Sequence, residues 1–259
     1  MIKKKKNMMD FWSARAREYK NDPRANTNDV WLREIEIKYI NQIISQNSFR
    51  SVMDFGCANG FTTKRISRSY PVISFTGIDI NPGMIKVAEQ NSNEETGSKL
   101  KFFVYDFIKE GRLSQNFDFI YCVRVLQNLE SKKVQKDIIN ILIEMLNTDG
   151  YLLYIESYED YYDLLNKDRE KLGLEKLPVH SHLTLLNNDF DKYVSSKLQY
   201  VSENFIASTY YLVTRLLYSR IAEDNNEKID YNHPIHQIGA QLPQFGNYGP
   251  LKAMLFKKL

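Results

Sequence analysis

Residues 52–60 read Val-Met-Asp-Phe-Gly-Cys-Ala-Asn-Gly, a short apolar run that carries Asp54 and breaks into Gly56 and Gly60. Helical pattern resumes at once in Phe61-Thr62-Thr63-Lys64-Arg65-Ile66. A strand, a glycine turn and a helix N-terminus in that order form a nucleotide-type pocket, because glycine lets backbone approach a ligand closely. The spacing narrows the ligand. Counted from Gly56, the dinucleotide fingerprint G-x-G-x-x-G needs glycines where Ala58 and Phe61 stand. A P-loop needs a glycine and then a lysine in place of Phe61 and Thr62. Neither pattern is met.

Outward from this stretch, apolar strand candidates alternate with helical segments from residue 51 to 156. Strands are expected at 51–55, 74–78, 100–105, 117–122 and 151–156, with the clearest helices near 60–68, 82–91 and 132–147. That alternation marks a parallel sheet with right-handed crossovers. Upstream, 8–47 reads as helical with a break at Asp22-Pro23. After Glu156 the rhythm changes: 158–190 is polar, aromatic and helical, 198–213 reads as a long strand, 214–224 as a helix and 252–257 as a closing strand. The expected organisation is a single domain, 1–259, with N-terminal helices over 1–47 and a cofactor-binding core over 48–157. A substrate cap over 158–197 and closing strands and helices over 198–259 complete it.

The strand ends supply the polar groups. About two dozen residues after Gly56 stands Gly77-Ile78-Asp79-Ile80-Asn81-Pro82-Gly83-Met84. An acidic residue at the end of the second strand can accept hydrogen bonds from ribose hydroxyls. Asn81 is the better helix cap and Pro82 the better first helical residue, which leaves Asp79 for a ligand. Met84 is a candidate apolar wall for an adenine, and Asp106-Phe107, just past the third strand, a candidate partner for its amino group. The fourth strand ends at Cys122 and opens into Val123-Arg124-Val125-Leu126-Gln127-Asn128-Leu129. Ligands of open parallel sheets lie beyond the carboxyl ends of the strands, so these segments converge on one crevice.

Asp54-x-Gly56-x-x-x-Gly60, Asp79, Asp106-Phe107 and the 117–129 segment together resemble the class I S-adenosylmethionine-dependent methyltransferases, over about residues 30–157. The resemblance implies an α/β, Rossmann-like, seven-stranded and mostly parallel sheet with helices on both faces, N-terminal helices and a helical cap inserted after strand five. It also implies S-adenosylmethionine as cofactor. Gly56 and Gly60 would line its methionine part, and Asp54 and Asn59 would hold its charged end through backbone or water. Cys57, Ile80 and Cys122 would line the same crevice. An upstream arginine or aromatic is also implied, for which Arg33 matches best, with Tyr19, Arg24 and Trp12 as the others. Arg124-Val125-Leu126-Gln127-Asn128-Leu129, Glu156, 166–174 and the closing Gln241-Leu242-Pro243 and Phe245-Gly246-Asn247-Tyr248 are similar to a narrower bacterial group. Its members are associated with surface-polysaccharide or small-metabolite modification. Where that group tends to show His-Asn-x-Tyr-Leu, this chain has His182-Leu183-Thr184-Leu185-Leu186.

Bulk properties set the outer bounds. The chain has 259 residues, 43% hydrophobic and 26% charged, the mix of an ordinary globular protein. A net charge of +3 is too small to argue for nucleic acid, and Lys3-Lys4-Lys5-Lys6 reads as a solvated, poorly ordered tail. No stretch approaches the ~20 apolar residues of a membrane span. Two cysteines, Cys57 and Cys122, give no disulfide framework, which suits a reducing cytoplasm. No cluster has metal-ligand spacing.

The expected reaction is O-methylation of a small polar acceptor: a sugar, a sugar nucleotide or a phosphate-bearing precursor of a bacterial capsular polysaccharide. The expected assembly is a monomer or homodimer. Candidate bases for a hydroxyl acceptor are His180, His182 and Glu156. His233 and His236 read as loop residues beside Pro234. Arg124, Arg215 and Tyr248 are candidates to orient an anionic acceptor. The alternatives are an RNA or N-methyltransferase and a non-catalytic cofactor-binding subunit. Cys122-Val123-Arg124-Val125 lacks the Asn/Asp-Pro-Pro-Tyr/Phe that grips an exocyclic amine, and intact glycines with Asp79 argue against a lost cofactor site.

Overall fold

The computed structural model describes the backbone of residues 2–90 and 99–259, and side chains from Met9 onward within those spans. Helices α1 (Ile2–Tyr19) and α2 (Val30–Ser45) precede the sheet, separated by a single 3-10 turn at Pro23–Ala25 that Asp22 caps. The basic run 3–6 falls in the first turns of α1 rather than in a tail, and its side chains lie outside the described ones.

Then β1 (Ser51–Phe55), α3 (Phe61–Ser67), β2 (Ser74–Asp79), α4 (Pro82–Gln90), β3 (Lys99–Val104), α5 (Phe107–Glu110), β4 (Phe117–Val123), α6 (Lys132–Glu144) and β5 (Leu146–Ser157) alternate. The inserted helices α7 (Glu159–Lys171) and α8 (Asn188–Ser195) follow, then β6 (Gln199–Asn204). Helix α9 (Ser208–Tyr211) runs through a π-helical turn, Leu212–Leu217, into α10 (Tyr218–Asp224), before α11 (Pro234–Gln241) and β7 (Leu251–Lys257).

The strands form one seven-stranded sheet in the order β3-β2-β1-β4-β5-β7-β6. The first five are parallel, and β7 runs antiparallel between β5 and β6. Strand order reverses between β1 and β4, so the crevice opens there, beyond Phe55 and Val123. Helices cover both faces. One core joins Met53, Ile120, Leu142, Leu152 and Phe190, and the other joins Ile40, Val52, Phe75, Tyr121, Leu153 and Tyr210. The seven-stranded Rossmann-like expectation is met. Among the described residues no helix is long and apolar enough to cross a membrane.

Two boundaries differ from the expectation. The long strand at 198–213 stops at Asn204, and the chain is helical from Ser208. Buried positions Ile206, Ala207, Tyr210 and Thr214 recur at helical spacing, whereas β6 is an exposed edge strand with no alternation to extend. The fifth strand begins at Leu146, not 151, through an irregular stretch in which Asp149 takes a positive φ of 63°. A Cβ on Gly150 would lie 2.8 Å from the Asn147 carbonyl, which is why a glycine stands there.

The antiparallel end of the sheet is pinned by a buried ion pair. Lys252, 1% exposed, sits on the Tyr158 ring and pairs with Asp191 of α8 at 2.7 Å and Glu203 of β6 at 3.0 Å. Asp191 also accepts from the hydroxyls of Tyr154 and Tyr158. Asp191→Ala leaves two tyrosine hydroxyls and much of one buried charge without an acceptor, and is expected to cost about 3 kcal/mol. Urea unfolding checks this, with Asp189→Ala, an exposed acid on the same helix, expected within about 0.5 kcal/mol of wild type.

Candidate functional site

The turn after β1 is shaped by left-handed backbone at Gly56 (φ 78°), Ala58 (φ 49°) and Gly60 (φ 72°). It is held from the side by β2. Gly56 and Cys57 both donate their backbone N–H to the Ile78 carbonyl, at 2.7 and 2.9 Å. Ala58 N–H donates to Asp79 Oδ2 at 2.9 Å, and Asn81 N–H to Asp79 Oδ1 at 2.8 Å. With the Ile80 N–H as a further backbone donor, the carboxylate still has acceptor capacity left for a ligand hydroxyl. Burial pushes the Asp79 carboxyl above its usual range, against those backbone donors. The glycines leave no room for a side chain. A Cβ on Gly56 would meet Val125 at 2.4 Å and one on Gly60 would meet Phe102 at 2.7 Å.

The sequence candidates sort into three groups. Gly56, Gly60, Asp79, Ile80, Asp106 and the 124–128 loop lie at the carboxyl ends of β1 to β4, as expected. Asp106 also caps α5 by accepting from Ile108 N–H. Met84 is buried with Ala16 and Ala25, against Trp12, Tyr19 and Ala58, so it roofs the crevice jointly with α1. Cys57, Cys122 and Phe107 are buried in the cores, and burial pushes both thiols well up.

The second group holds the site together instead of facing it. Asp54 Oδ2 accepts from Thr63 Oγ1 at 2.6 Å and from the Tyr121 hydroxyl at 3.0 Å, beneath the turn. Asn59 donates its amide to the carbonyls of Lys20 and Asp22, tying the end of α1 to the turn. Tyr19 carries the Arg15 guanidinium over its ring at 4.7 Å. Arg33 donates to Thr62 Oγ1 at 2.9 Å and faces Glu36 at 3.3 Å, with burial lowering its pKa.

The third group is the expected bases, of which Glu156 is corrected. Glu156 is fully buried and accepts backbone N–H bonds from Val125, Leu126 and Gln127 at 2.8, 2.9 and 3.1 Å. Burial lifts its carboxyl to about 8, but it anchors the loop after β4 and does not face an acceptor. His180 and His182 stack at 5.6 Å in the loop between α7 and α8, His180 exposed and His182 half-buried. Thr184 N–H donates to the Gln127 carbonyl, which fixes that loop beside the one after β4.

Other residues of the crevice were not singled out as site residues by the sequence. Asp29 caps α2, pairs with Arg215 and accepts from the Tyr210 hydroxyl. His236 is not a loop residue: it is fully buried in α11, its Nδ1 2.7 Å from the Tyr210 hydroxyl. Tyr210 has one proton, which goes to the carboxylate, so the His236 Nδ1–H donates to Tyr210 and Nε2 carries the lone pair. Burial lowers the His236 pKa and keeps the ring neutral. Tyr248 lies near Phe245, its N–H on Ser208 Oγ, and among the described residues its partners do not include Arg124 or Arg215 by hydrogen bond or ring stacking.

A family model described as a methyltransferase domain matches residues 46–218. Among curated proteins, the chain is 31% identical over 111 residues to a malonyl-[acyl-carrier protein] O-methyltransferase of Acetivibrio thermocellus, covering 43% of this chain and 37% of that one. It is 26% identical over 135 residues to the protein of that name from Bacillus anthracis, covering 51% and 48%. The chain thus spans half or less of the length of these two relatives. Among solved structures, magnesium protoporphyrin IX methyltransferase from Synechocystis PCC 6803 with bound S-adenosylhomocysteine superposes with a TM-score of 0.62 at 12% identity, over 98% of this chain and 100% of that one. The N-methyltransferase NodS from Bradyrhizobium japonicum WM9 with the same ligand gives 0.59 at 16%, over 96% and 98%. At these identities the likeness is one of fold.

Asp54 gives the site a pH signature. Burial, the largest influence, lifts its carboxyl from 3.8 to about 6 against the Thr63 and Tyr121 donors. The folded state then binds an extra proton between those values, so this stabilising contribution is full below about pH 4 and is lost as pH rises through 6. The loss is about 3 kcal/mol. Asp54→Asn has no such slope. Urea unfolding at pH 4 and pH 7 is expected to show the variant gaining on wild type by that amount at the higher pH.

Proposed function

The chain belongs to the methyltransferase-domain family, the class I S-adenosylmethionine-dependent enzymes, and from that premise we propose that it methylates oxygen on a small polar acceptor. The acceptor class we favour is a sugar, a sugar nucleotide or a phosphate-bearing precursor of a surface polysaccharide. The observation that carries the reading is the pairing of the left-handed turn at Gly56, Ala58 and Gly60 with the carboxylate of Asp79 at the adjacent strand end. Oxygen is favoured because the loop after β4 lacks the amine-gripping tetrapeptide, and the curated relatives are named as O-methyltransferases.

The residues present fit the cofactor. Asp79 would accept from the ribose hydroxyls, Asp106 at the next strand end from an adenine amino group, and Met84 would supply an apolar wall. The Gly56–Gly60 backbone would hold the methionine part, with Arg33 on α2 one contact away through Thr62. When bound, S-adenosylmethionine supplies an electrophilic methyl group on sulfur. The protein's part is then alignment: the acceptor oxygen must lie in line with the breaking carbon–sulfur bond, which can supply several kcal/mol of barrier reduction, about 7–11 at the limit. For a hydroxyl acceptor, the His180–His182 pair, held beside the loop after β4 by Thr184, is the candidate that remains for the base.

Calorimetry on the full chain tests the reading. S-adenosylhomocysteine is expected to bind and NAD is not. Asp79→Asn is expected to weaken S-adenosylhomocysteine binding by roughly 10- to 100-fold, the worth of hydrogen bonds to a charged acceptor. Equal affinity for the two ligands, or an indifferent Asp79→Asn, would rule the assignment out.

A further inference from the structure

Helix α2 presents Asp29, Arg33 and Glu36 at i, i+4 and i+7, one stripe on one face. All three are buried: 5%, 7% and 0% exposed. Arg33 points at Thr62, beside the cofactor turn. Arg124, from the loop after β4, reaches Glu36 with Nε at 2.9 Å and Nη2 at 3.2 Å. Arg215, from the π-helical turn, pairs through Nη2 with Asp29 and donates Nη1 to Thr214. Two further guanidinium groups are thus drawn onto the stripe from opposite sides of the crevice. Arg124 has a positive φ of 55°, so backbone strain is accepted to aim it there.

The cluster is not electrically closed. Arg33 and Arg124 share the single carboxylate of Glu36, while Arg215 takes Asp29; Asp54, the next acid beyond Arg33, is bound by the Thr63 and Tyr121 hydroxyls. On the stripe itself three guanidinium groups therefore meet two carboxylates. The contacts on Glu36 are ion pairs of imperfect alignment: Arg33 Nε, Arg124 Nε and Glu36 Oε1 lie within pairing distance without an aligned hydrogen bond. Two largely buried guanidinium groups on one carboxylate repel each other, and a further anion beside them offsets that cost. The Arg124 and Arg215 side chains retain 19% and 12% exposure, so an incoming group can reach them. Tyr211 lies between them, its ring 5.6 Å from the Arg215 guanidinium, and its hydroxyl donates to no protein group among the described residues.

We propose that Arg124, Arg215 and Tyr211 bind an oxyanion of the acceptor, a carboxylate or a phosphate. The guanidinium forks match either group, and a planar donor pair with a phenol orients it. Arg215 is fixed for this by Asp29, which Tyr210 and His236 hold in turn. The proposal deepens the methyl-transfer reading and rests on it.

The test is calorimetric titration of the full chain, saturated with S-adenosylhomocysteine, with inorganic phosphate and with malonate at constant ionic strength. Wild type is expected to bind one of the two, which names the anion. Tyr211→Phe and Arg124→Gln are each expected to weaken that binding by roughly tenfold, with S-adenosylhomocysteine affinity unchanged within about twofold. Arg124→Gln removes one of the two partners of buried Glu36, so its fold is checked by urea unfolding, whereas Tyr211→Phe breaks no ion pair and keeps the test independent of folding. No binding of either anion by the loaded wild type, or binding indifferent to both variants, overturns the proposal alone. Loss of S-adenosylhomocysteine in the variants overturns it differently, by assigning these groups to the cofactor. Failure of wild type to bind S-adenosylhomocysteine at all sinks the methyl-transfer reading itself.

Discussion

The turn between β1 and α3 cannot hold its own shape; β2 holds it. Three left-handed residues in five would relax if isolated, since Ala58 carries a side chain that disfavours that region. The Ile78 carbonyl takes two N–H groups of the turn and the Asp79 carboxylate takes a third. The register that pairs Phe55 with Ile78 therefore sets the geometry of the ligand cradle. Asn59 extends the same tie to α1, and Asn81 repeats it by donating to the Met9 carbonyl and Ser13 Oγ. The roof of the crevice is thus bolted to the two strand ends it covers.

Beyond the cradle, polar groups are buried at a cost met by α2. Its stripe of Asp29, Arg33 and Glu36 gathers guanidinium groups from the loop after β4 and from the segment after β6, elements more than eighty residues apart in sequence. The π-helical turn at Leu212–Leu217 widens the helix where Tyr211 and Arg215 must reach the stripe, and such turns recur at functional sites. Glu156 serves the same end from below. By accepting three successive backbone N–H groups it fixes the loop that carries Arg124 and Val125. Cradle and charged stripe meet at Arg33, whose guanidinium touches Thr62 on one side and Glu36 on the other.

The sheet and its crevice were legible because local pattern and tertiary role agree there. Val52 to Phe55 are buried on both sides, as an unbroken apolar strand in a parallel sheet must be, and Gly56, Gly60 and Asp79 sit at strand ends fixed by that pattern. The roles of Glu156 and His236 were not legible. A carboxylate at a strand end looks the same whether it faces a substrate or accepts three N–H groups of its own chain. His236 follows Pro234 in a segment whose burial depends on Tyr210, Tyr218 and Tyr231 arriving from elsewhere. The 198–213 stretch misread for a related reason: Tyr210, Tyr211 and Val213 favour strands locally, but burial at Ile206, Tyr210 and Thr214 selects a helix.

A crystal structure of the chain with S-adenosylhomocysteine tests the account most directly. Both ribose hydroxyls are expected within about 3 Å of the Asp79 carboxylate, with the methionine portion on the Gly56–Gly60 backbone and no rearrangement of the Asn59 and Asn81 ties. A ligand bound away from Asp79, or a turn that must abandon the Ile78 carbonyl to admit it, would contradict the claim that β2 presets the cradle.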